Sequence, residues 1–318
     1  MNKNLLPIHF APLQGYTDAA YRQAHACIFG GIDTYYSPFI RVEHGEIHRK
    51  DIRDINPENN RNIHLIPQLI APQPSTLEQI VSLFIEHNYQ EADINLGCPF
   101  PMLAKRHNGA GMLPYPEEIK ELLTAATEKY PQIRFSVKLR LGWENANECL
   151  ALLPLLNTLP LSHIILHPRL GKQQYKGEVD LNGFEAFYHG CDKPLLYNGD
   201  LHTIEDIQTV TERFPRLAGR KPDETLGLLA NPALAWEYQQ NRKLSPDEML
   251  SKIKQLHTAI YNSYEKQLQG GETQLLMKMK NFWEYLLPEG DRKAKKAIHK
   301  ATKLSNYEVA VNSLFGNL

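Results

Sequence analysis

The sequence predicts an α/β protein, a (β/α)8 barrel over residues 1–241 followed by a small C-terminal helical domain over 242–318. Three observations predict it. Short apolar, β-rich runs recur with starts roughly 26 to 44 residues apart, the size of a βα unit. Helical segments lie between them, and strands alternating with helices imply a parallel sheet. A distinctive polar group closes each run, and barrels carry their chemistry at the C-terminal strand ends.

The runs are Ile8–Leu13, Thr34–Ile40, His64–Ile70, Ala92–Leu96, Phe135–Leu141, His163–His167 and Leu195–Asn198, with room for an eighth near residues 217–227. Between the third and fourth, Leu77, Ile80, Val81, Phe84 and Ile85 mark one face of a helix over Ser75–His87. Another helix is predicted over Pro116–Lys129. A doubly wound open sheet is the alternative, but no Gly-rich dinucleotide fingerprint follows the first strand. The polar groups at the run ends are Pro12 and Gln14; Arg41 and Glu43; Gln68; Asn95 to Cys98; Lys138 and Arg140; His167 and Arg169; and Asn198 to Asp200. After Asn231-Pro232 strand signals fade. Ser245-Pro246-Asp247-Glu248 is a helix start with a capping serine and proline in the first turn. Leu250, Ile253, Leu256, Ile260 and Tyr264 trace one face. Gly270-Gly271 breaks that helix, and Leu275, Met279, Phe282, Trp283 and Leu286 trace the next.

Composition narrows the function classes. Hydrophobic residues are 42% and charged residues 22%, ordinary for a globular chain, and the net charge is -1. Any affinity for nucleic acid must therefore come from a local basic patch. Cys27, Cys98, Cys149 and Cys191 form no CxxC pair, which argues against a zinc site and fits a reducing cytosol. The first ten residues lack the apolar stretch of a signal peptide, and no apolar run reaches membrane-spanning length. A cytoplasmic monomer without a metal is expected.

The sharpest local feature is Ala92-Asp93-Ile94-Asn95-Leu96-Gly97-Cys98-Pro99. A buried strand delivers Asn95 and Cys98 to the barrel mouth, and Gly97 lets the backbone turn beside a ligand. A cysteine there can serve as nucleophile or general acid. The other three cysteines read as small buried hydrophobes. His25, His44, His48, His87, His107 and His163 show no metal-ligand spacing and read as surface or satisfied core residues.

Five segments together resemble the tRNA-dihydrouridine synthases. Asn95-Leu96-Gly97-Cys98-Pro99 with Gly109-Ala110-Gly111 is similar to the family's N-x-G-C-P…G signature. Ala11 to Asp18 resembles its opening A-P-M-x-G-x-T-D, Val137 to Trp143 its V-K-x-R-x-G-W, His167-Pro168-Arg169 its H-G-R, and Asn198-Gly199-Asp200 its N-G-D. Met277 to Trp283 resembles the RNA-binding tail of C-type bacterial members. The resemblance implies an FMN-dependent reduction of a tRNA uridine with NADPH as electron donor. Hydride passes from the reduced flavin to C6 of uracil, and Cys98 matches the thiol that protonates C5. It implies that Pro12 and Leu13 pack beneath the flavin ring, that Gln68 bonds its edge, and that Lys138 lies near its pyrimidine end. His167, Asn198, Gly199, Gly219 and Arg220 would line the ribityl and phosphate path. Asn95, Arg140 and Arg169 would contact the substrate, Asn95 by bonding the uracil itself. From the residues alone, Lys138 also fits an ion pair inside the barrel, as the lesser alternative.

Three departures from the family pattern stand out. Pro101 replaces a lysine often found after the catalytic motif, and Lys105 and Arg106 are expected to take over its contact with RNA phosphate. Pro168 replaces a glycine. Arg220 to Leu226 is polar where the eighth strand should be a continuous apolar run ending in Gly-Arg. Either Gly219-Arg220 is a displaced phosphate motif, or the motif is lost, or an altered reading frame has left a foreign segment between intact flanks. Weaker FMN retention than in a typical member is expected. From Gln274 to Leu304, eight basic residues (Lys278, Lys280, Arg292, Lys293, Lys295, Lys296, Lys300 and Lys303) face three acidic ones (Glu284, Glu289 and Asp291). Such a tail would bind tRNA phosphate and favour a D-loop uridine. The competing readings are an FMN barrel enzyme acting on a free pyrimidine, a Schiff-base aldolase using Lys138, and a tRNA binder with an impaired FMN site.

Overall fold

The computed structural model describes residues 6–219, 223–224, 226–286 and 292–316. Its strands are β1 (His9–Phe10), β2 (Thr34–Tyr36), β3 (Val42–Glu43), β4 (Glu46–Ile47), β5 (Leu65–Ile66), β6 (Gln68–Leu69), β7 (Glu91–Leu96), β8 (Arg134–Gly142), β9 (Ile164–Leu170), β10 (Leu195–Tyr197) and β11 (Asp223–Glu224). β3 and β4 form a separate antiparallel hairpin. All other pairings are parallel, in the orders β11-β1-β2-β5 and β6-β7-β8-β9-β10. β5 and β6 are one predicted run split at Pro67, which has no N–H for a ladder. The result is eight parallel runs in consecutive order. Among the described residues no ladder joins β10 to β11.

Every predicted run contains a strand, and most strands are shorter than predicted. The first shrinks to His9–Phe10, because Pro12 cannot extend a ladder. The second stops at Tyr36, before Pro38, and resumes only as a single bridge from Ile40 to Leu69. The eighth is the polar pair Asp223–Glu224, in register with His9 and Phe10. The helix Pro116–Lys129 has its predicted limits, and Pro74–Glu86 lies one residue from them.

Side-chain alternation divides the interior. Ile164 and Leu166 of β9 join the main core between sheet and helices. Ile165, between them, points inward and packs with Tyr36, Ile66 and Leu196.

Beyond the strands come helices Leu234–Gln240, Pro246–Gln267, Gly271–Phe282, Arg292–Lys300 and Leu304–Phe315. The first ends at Asn241 in the left-handed conformation (φ 49°). The Ser245 hydroxyl accepts the Glu248 N–H, and Glu248 returns a bond to the Ser245 N–H. Pro246–Gln267 packs along Ala19–Ile28, so the helical region shares one apolar core with the strand region. No helix among the described residues is long and apolar enough to cross a membrane.

Two buried histidines tie this region together. His257 bonds the Tyr307 hydroxyl at 2.7 Å, which also accepts the Trp283 indole N–H at 2.9 Å. His25 bridges the Tyr35 hydroxyl and the Pro232 carbonyl, each within 2.9 Å. Burial lowers both to about 4. Their folded pKa lies below the unfolded value, so the stability they confer is present above pH 6.5 and lost as pH falls towards 4. Each accounts for roughly 3 kcal/mol over that window. Urea midpoints should fall steadily from pH 6.5 to 4, and His257→Gln should flatten part of that slope.

Candidate active site

At the C-terminal ends of the parallel strands lies a cleft of about 830 Å3, counting its open mouth. Ten predicted residues line it: Pro12, Leu13, Gln68, Asn95, Cys98, Lys138, Arg140, His167, Asn198 and Gly199. Period-two alternation is what gathers them. On β7, Ala92, Ile94 and Leu96 face the outer core, so Asp93 and Asn95 face inward.

Cys98 is set by a chain of side-chain bonds. Asp93 accepts from Ser136 Oγ at 2.6 Å and from Gln68 Nε2 at 2.7 Å. Gln68 Oε1 accepts Asn95 Nδ2 at 2.7 Å. Asn95 Oδ1 accepts the backbone N–H groups of Gly97 and Cys98 at 3.0 and 2.8 Å, an Asx turn that fixes the cysteine. On the far side, the Ala110 N–H bonds the Cys98 carbonyl. Gly109 (φ 58°) admits this approach, since a Cβ there would lie 2.7 Å from that carbonyl oxygen. Burial pushes the Cys98 thiol above the usual thiol range, outweighing the Phe100 N–H and the Arg140 and Arg41 cations. The thiol is therefore protonated at neutral pH.

The neighbouring strand β8 brings two cations, Lys138 and Arg140, into the same cleft. Lys138 Nζ donates to Asn198 Oδ1 at 2.6 Å, and His167 Nδ1 lies 3.2 Å from the same oxygen. Burial, with Arg140, Lys138 and Arg169 around it, holds His167 well below its ordinary value, so the ring is neutral. Arg140 is nearly buried and gives its N–H groups to the carbonyls of Gly97, Leu170 and Gln174. Its guanidinium stands 5.3 Å from the centre of the Tyr175 ring.

A model of the dihydrouridine synthase family matches residues 9–313. This chain belongs to that family. It is 28% identical to tRNA-dihydrouridine synthase B of Vibrio cholerae, over 46% of this chain and 45% of that protein, so it aligns with less than half of that relative's length. It is 26% identical to tRNA-dihydrouridine(16) synthase of Haemophilus ducreyi, over 67% of each. A Helicobacter pylori protein named "Probable tRNA-dihydrouridine synthase" is 23% identical over 98% of this chain and 93% of its own. The solved structure of a variant of NCR from Zymomonas mobilis is similar in fold, with a TM-score of 0.52 at 12% identity over 76% of this chain and 88% of that one.

In this chain, six predicted residues lie outside the cleft lining and a seventh, Arg220, lies outside the described residues, as do Lys221 and Pro222. Gly219 ends the short helix Pro215–Gly219. Arg169 sits behind the cleft, paired with Asp200 at 2.5 Å and bonded to His167. Lys105 and Arg106 are exposed on the loop beyond Cys98. Lys278 is paired with Asp18 at 2.9 Å over the Tyr264 ring, which makes it a clasp between the strand region and the C-terminal helices. Lys280 is half-buried in the last turn of Gly271–Phe282. Tyr175, Phe39, Asp93 and Ser136 were missed by sequence reasoning. Period two from Asn95 could have found Asp93, but nothing local marks Tyr175.

Proposed function

We propose that this chain is a tRNA-dihydrouridine synthase that uses FMN and NAD(P)H to reduce one uridine of tRNA. The observation that carries the reading is a protonated thiol, Cys98, sharing one cleft with the cations Lys138 and Arg140. The donor set fits FMN. Pro12 and Leu13 offer an apolar surface for the ring, Gln68 an amide for its edge, and Lys138 a cation for its pyrimidine end. His167, Asn198 and Gly199, with Gly219 and Arg220, are assigned to the ribityl and phosphate groups. When bound, FMN supplies the hydride, drawn from NAD(P)H, that the uracil ring accepts.

The chain's own residues supply the rest. Cys98 holds a proton at Sγ and delivers it to C5 of the uracil. Asn95 has its oxygen committed to the Cys98 turn, so it reaches the base only through its amide N–H. Arg140 and Arg169 hold the uridine and its phosphate. A uracil must leave its stack to enter the cleft, at a few kcal/mol. Residues 242–318 act as the RNA-binding domain, with exposed Arg292, Lys296, Lys300 and Lys303 meeting phosphate. Lys280 adds to that surface, while Lys278 holds the tail in place. The relative named for position 16 supports a D-loop uridine. A cytoplasmic monomer suits a thiol that must stay reduced.

The test is a visible absorption spectrum with and without added FMN, then dihydrouridine formation on unmodified tRNA. Flavin bound weakly and turnover on tRNA are expected. A protein that takes up no flavin, or one that reduces free uracil but not tRNA, would overturn the reading.

A further inference from the structure

The loop beyond Cys98 turns an apolar side outward. Phe100 is 53% exposed and Met102 67%, on the first turn after the cysteine. The inner side of the same loop is packed. Leu103 and Ala104 are buried, Leu103 against Phe39 and Ile70 at the cleft wall. The loop is also rigid. Pro99 and Pro101 flank Phe100, and its carbonyl accepts the N–H groups of both Leu103 and Ala104 at 3.0 Å. Gly111 seats the loop closely, since a Cβ there would lie 2.3 Å from the Ala104 carbonyl oxygen. About half of the Phe100 side chain is thus left in solvent on a backbone that is held in place. One turn on, Lys105 and Arg106 are exposed on the same loop.

We propose that Phe100, backed by Met102, is a stacking platform for the nucleobase next to the reacting uridine. The inference rests on the reading above that RNA is the substrate. A flipped uridine leaves its neighbour with one bare face. Phe100 lies two residues from the thiol at the rim of the cleft, where that neighbour must pass. Stacking on an aromatic ring accepts any base, so the platform adds affinity without sequence preference. Lys105 and Arg106 then meet the adjoining phosphates.

The experiment measures the affinity of the full-length protein for unmodified tRNA across a salt series. Phe100→Ala should weaken binding roughly tenfold at every salt concentration, with an unchanged slope. Phe100→Trp should bind like the parent, and Phe100→Leu like the alanine variant, because a π face is required and not merely an apolar one. Lys105→Ala with Arg106→Ala should instead lower the salt slope by about two. Flavin content should be the same in all of them. A leucine variant matching the parent, or an alanine variant binding as tightly, overturns the inference while leaving the functional reading intact. Self-association that Phe100→Ala abolishes, with tRNA affinity unchanged, assigns the patch to a second copy and also overturns it. A parent protein that binds no tRNA overturns both.

Discussion

Replacing Cys98 by alanine is expected to lower dihydrouridine formation by a factor of ~10²–10⁴ and to leave flavin binding intact. The sulfur stands in the cleft lining, and its backbone is fixed from both sides, by Asn95 Oδ1 and by the Ala110 N–H. Alanine keeps every one of those backbone bonds, so the loss reports on the proton and not on the fold. Serine should restore little, because an alcohol is a far weaker acid than a thiol. The pH profile separates this role from nucleophilic attack. Burial raises the Cys98 pKa, so an acid is ready throughout the neutral range. Turnover should stay level there and decline only above the usual thiol range. A nucleophilic thiolate would give the opposite slope, rising with pH. Single-turnover assays with pre-reduced enzyme, run from neutral to alkaline pH, measure the chemical step directly. A profile that climbs through that interval would remove Cys98 as the proton donor.

The division between what the sequence made legible and what it hid follows the range of the interactions. Strand positions, the helix Pro116–Lys129 and the Ser245 cap depend on neighbours a few residues away, so local pattern reveals them. Ten of the seventeen predicted site residues meet in one cleft, because the C-terminal ends of neighbouring parallel strands lie side by side. Partnerships stayed hidden. Gln68 bonds Asn95 across 27 residues, Lys138 bonds Asn198 across 60, and Lys278 meets Asp18 across 260. No periodicity encodes such distances. Hence Asn95 reads as a base-binding amide, while in the structure its oxygen holds the Cys98 turn. Likewise Lys278 reads as a phosphate contact, while it clasps the C-terminal helices to the strand region through Asp18. The polar stretch after Gly219 shows the reverse. Composition argues against a strand there, yet Asp223–Glu224 pairs beside β1, because backbone ladders need no particular side chain.

Arg22→Met is expected to cost about 3–5 kcal/mol of stability, because it strands a buried charge. Arg22 is fully buried on the helix Ala19–Ile28. Its guanidinium donates to the Thr17 carbonyl at 2.7 Å, to the Asp54 carbonyl at 2.8 Å, to Asn60 Oδ1 at 2.8 Å and to the Asp54 carboxylate at 3.1 Å. Asp54 in turn caps the helix through the Ala19 N–H at 2.6 Å. Methionine fills much of the volume but leaves the carboxylate buried without a counter-charge. Burial already raises Asp54 above its ordinary value, and Arg22 is the largest opposing influence. Without it the carboxyl protonates more readily. An acid whose folded pKa exceeds its unfolded one loses stability as pH rises, so the penalty should be greatest at neutral pH and shrink towards pH 4. Adding Asp54→Asn should recover part of the loss at pH 7, because the uncompensated charge is gone. The consequence reaches the cleft. Thr17 Oγ1 accepts the Leu13 N–H at 2.9 Å, and Arg22 anchors the Thr17 carbonyl. Loosening that turn loosens the apolar surface formed by Pro12 and Leu13, so FMN retention should fall together with stability. Urea denaturation at pH 7 and pH 4, with flavin titration alongside, measures both effects. Equal destabilisation at the two pH values would show that lost packing, and not the stranded carboxylate, carries the cost.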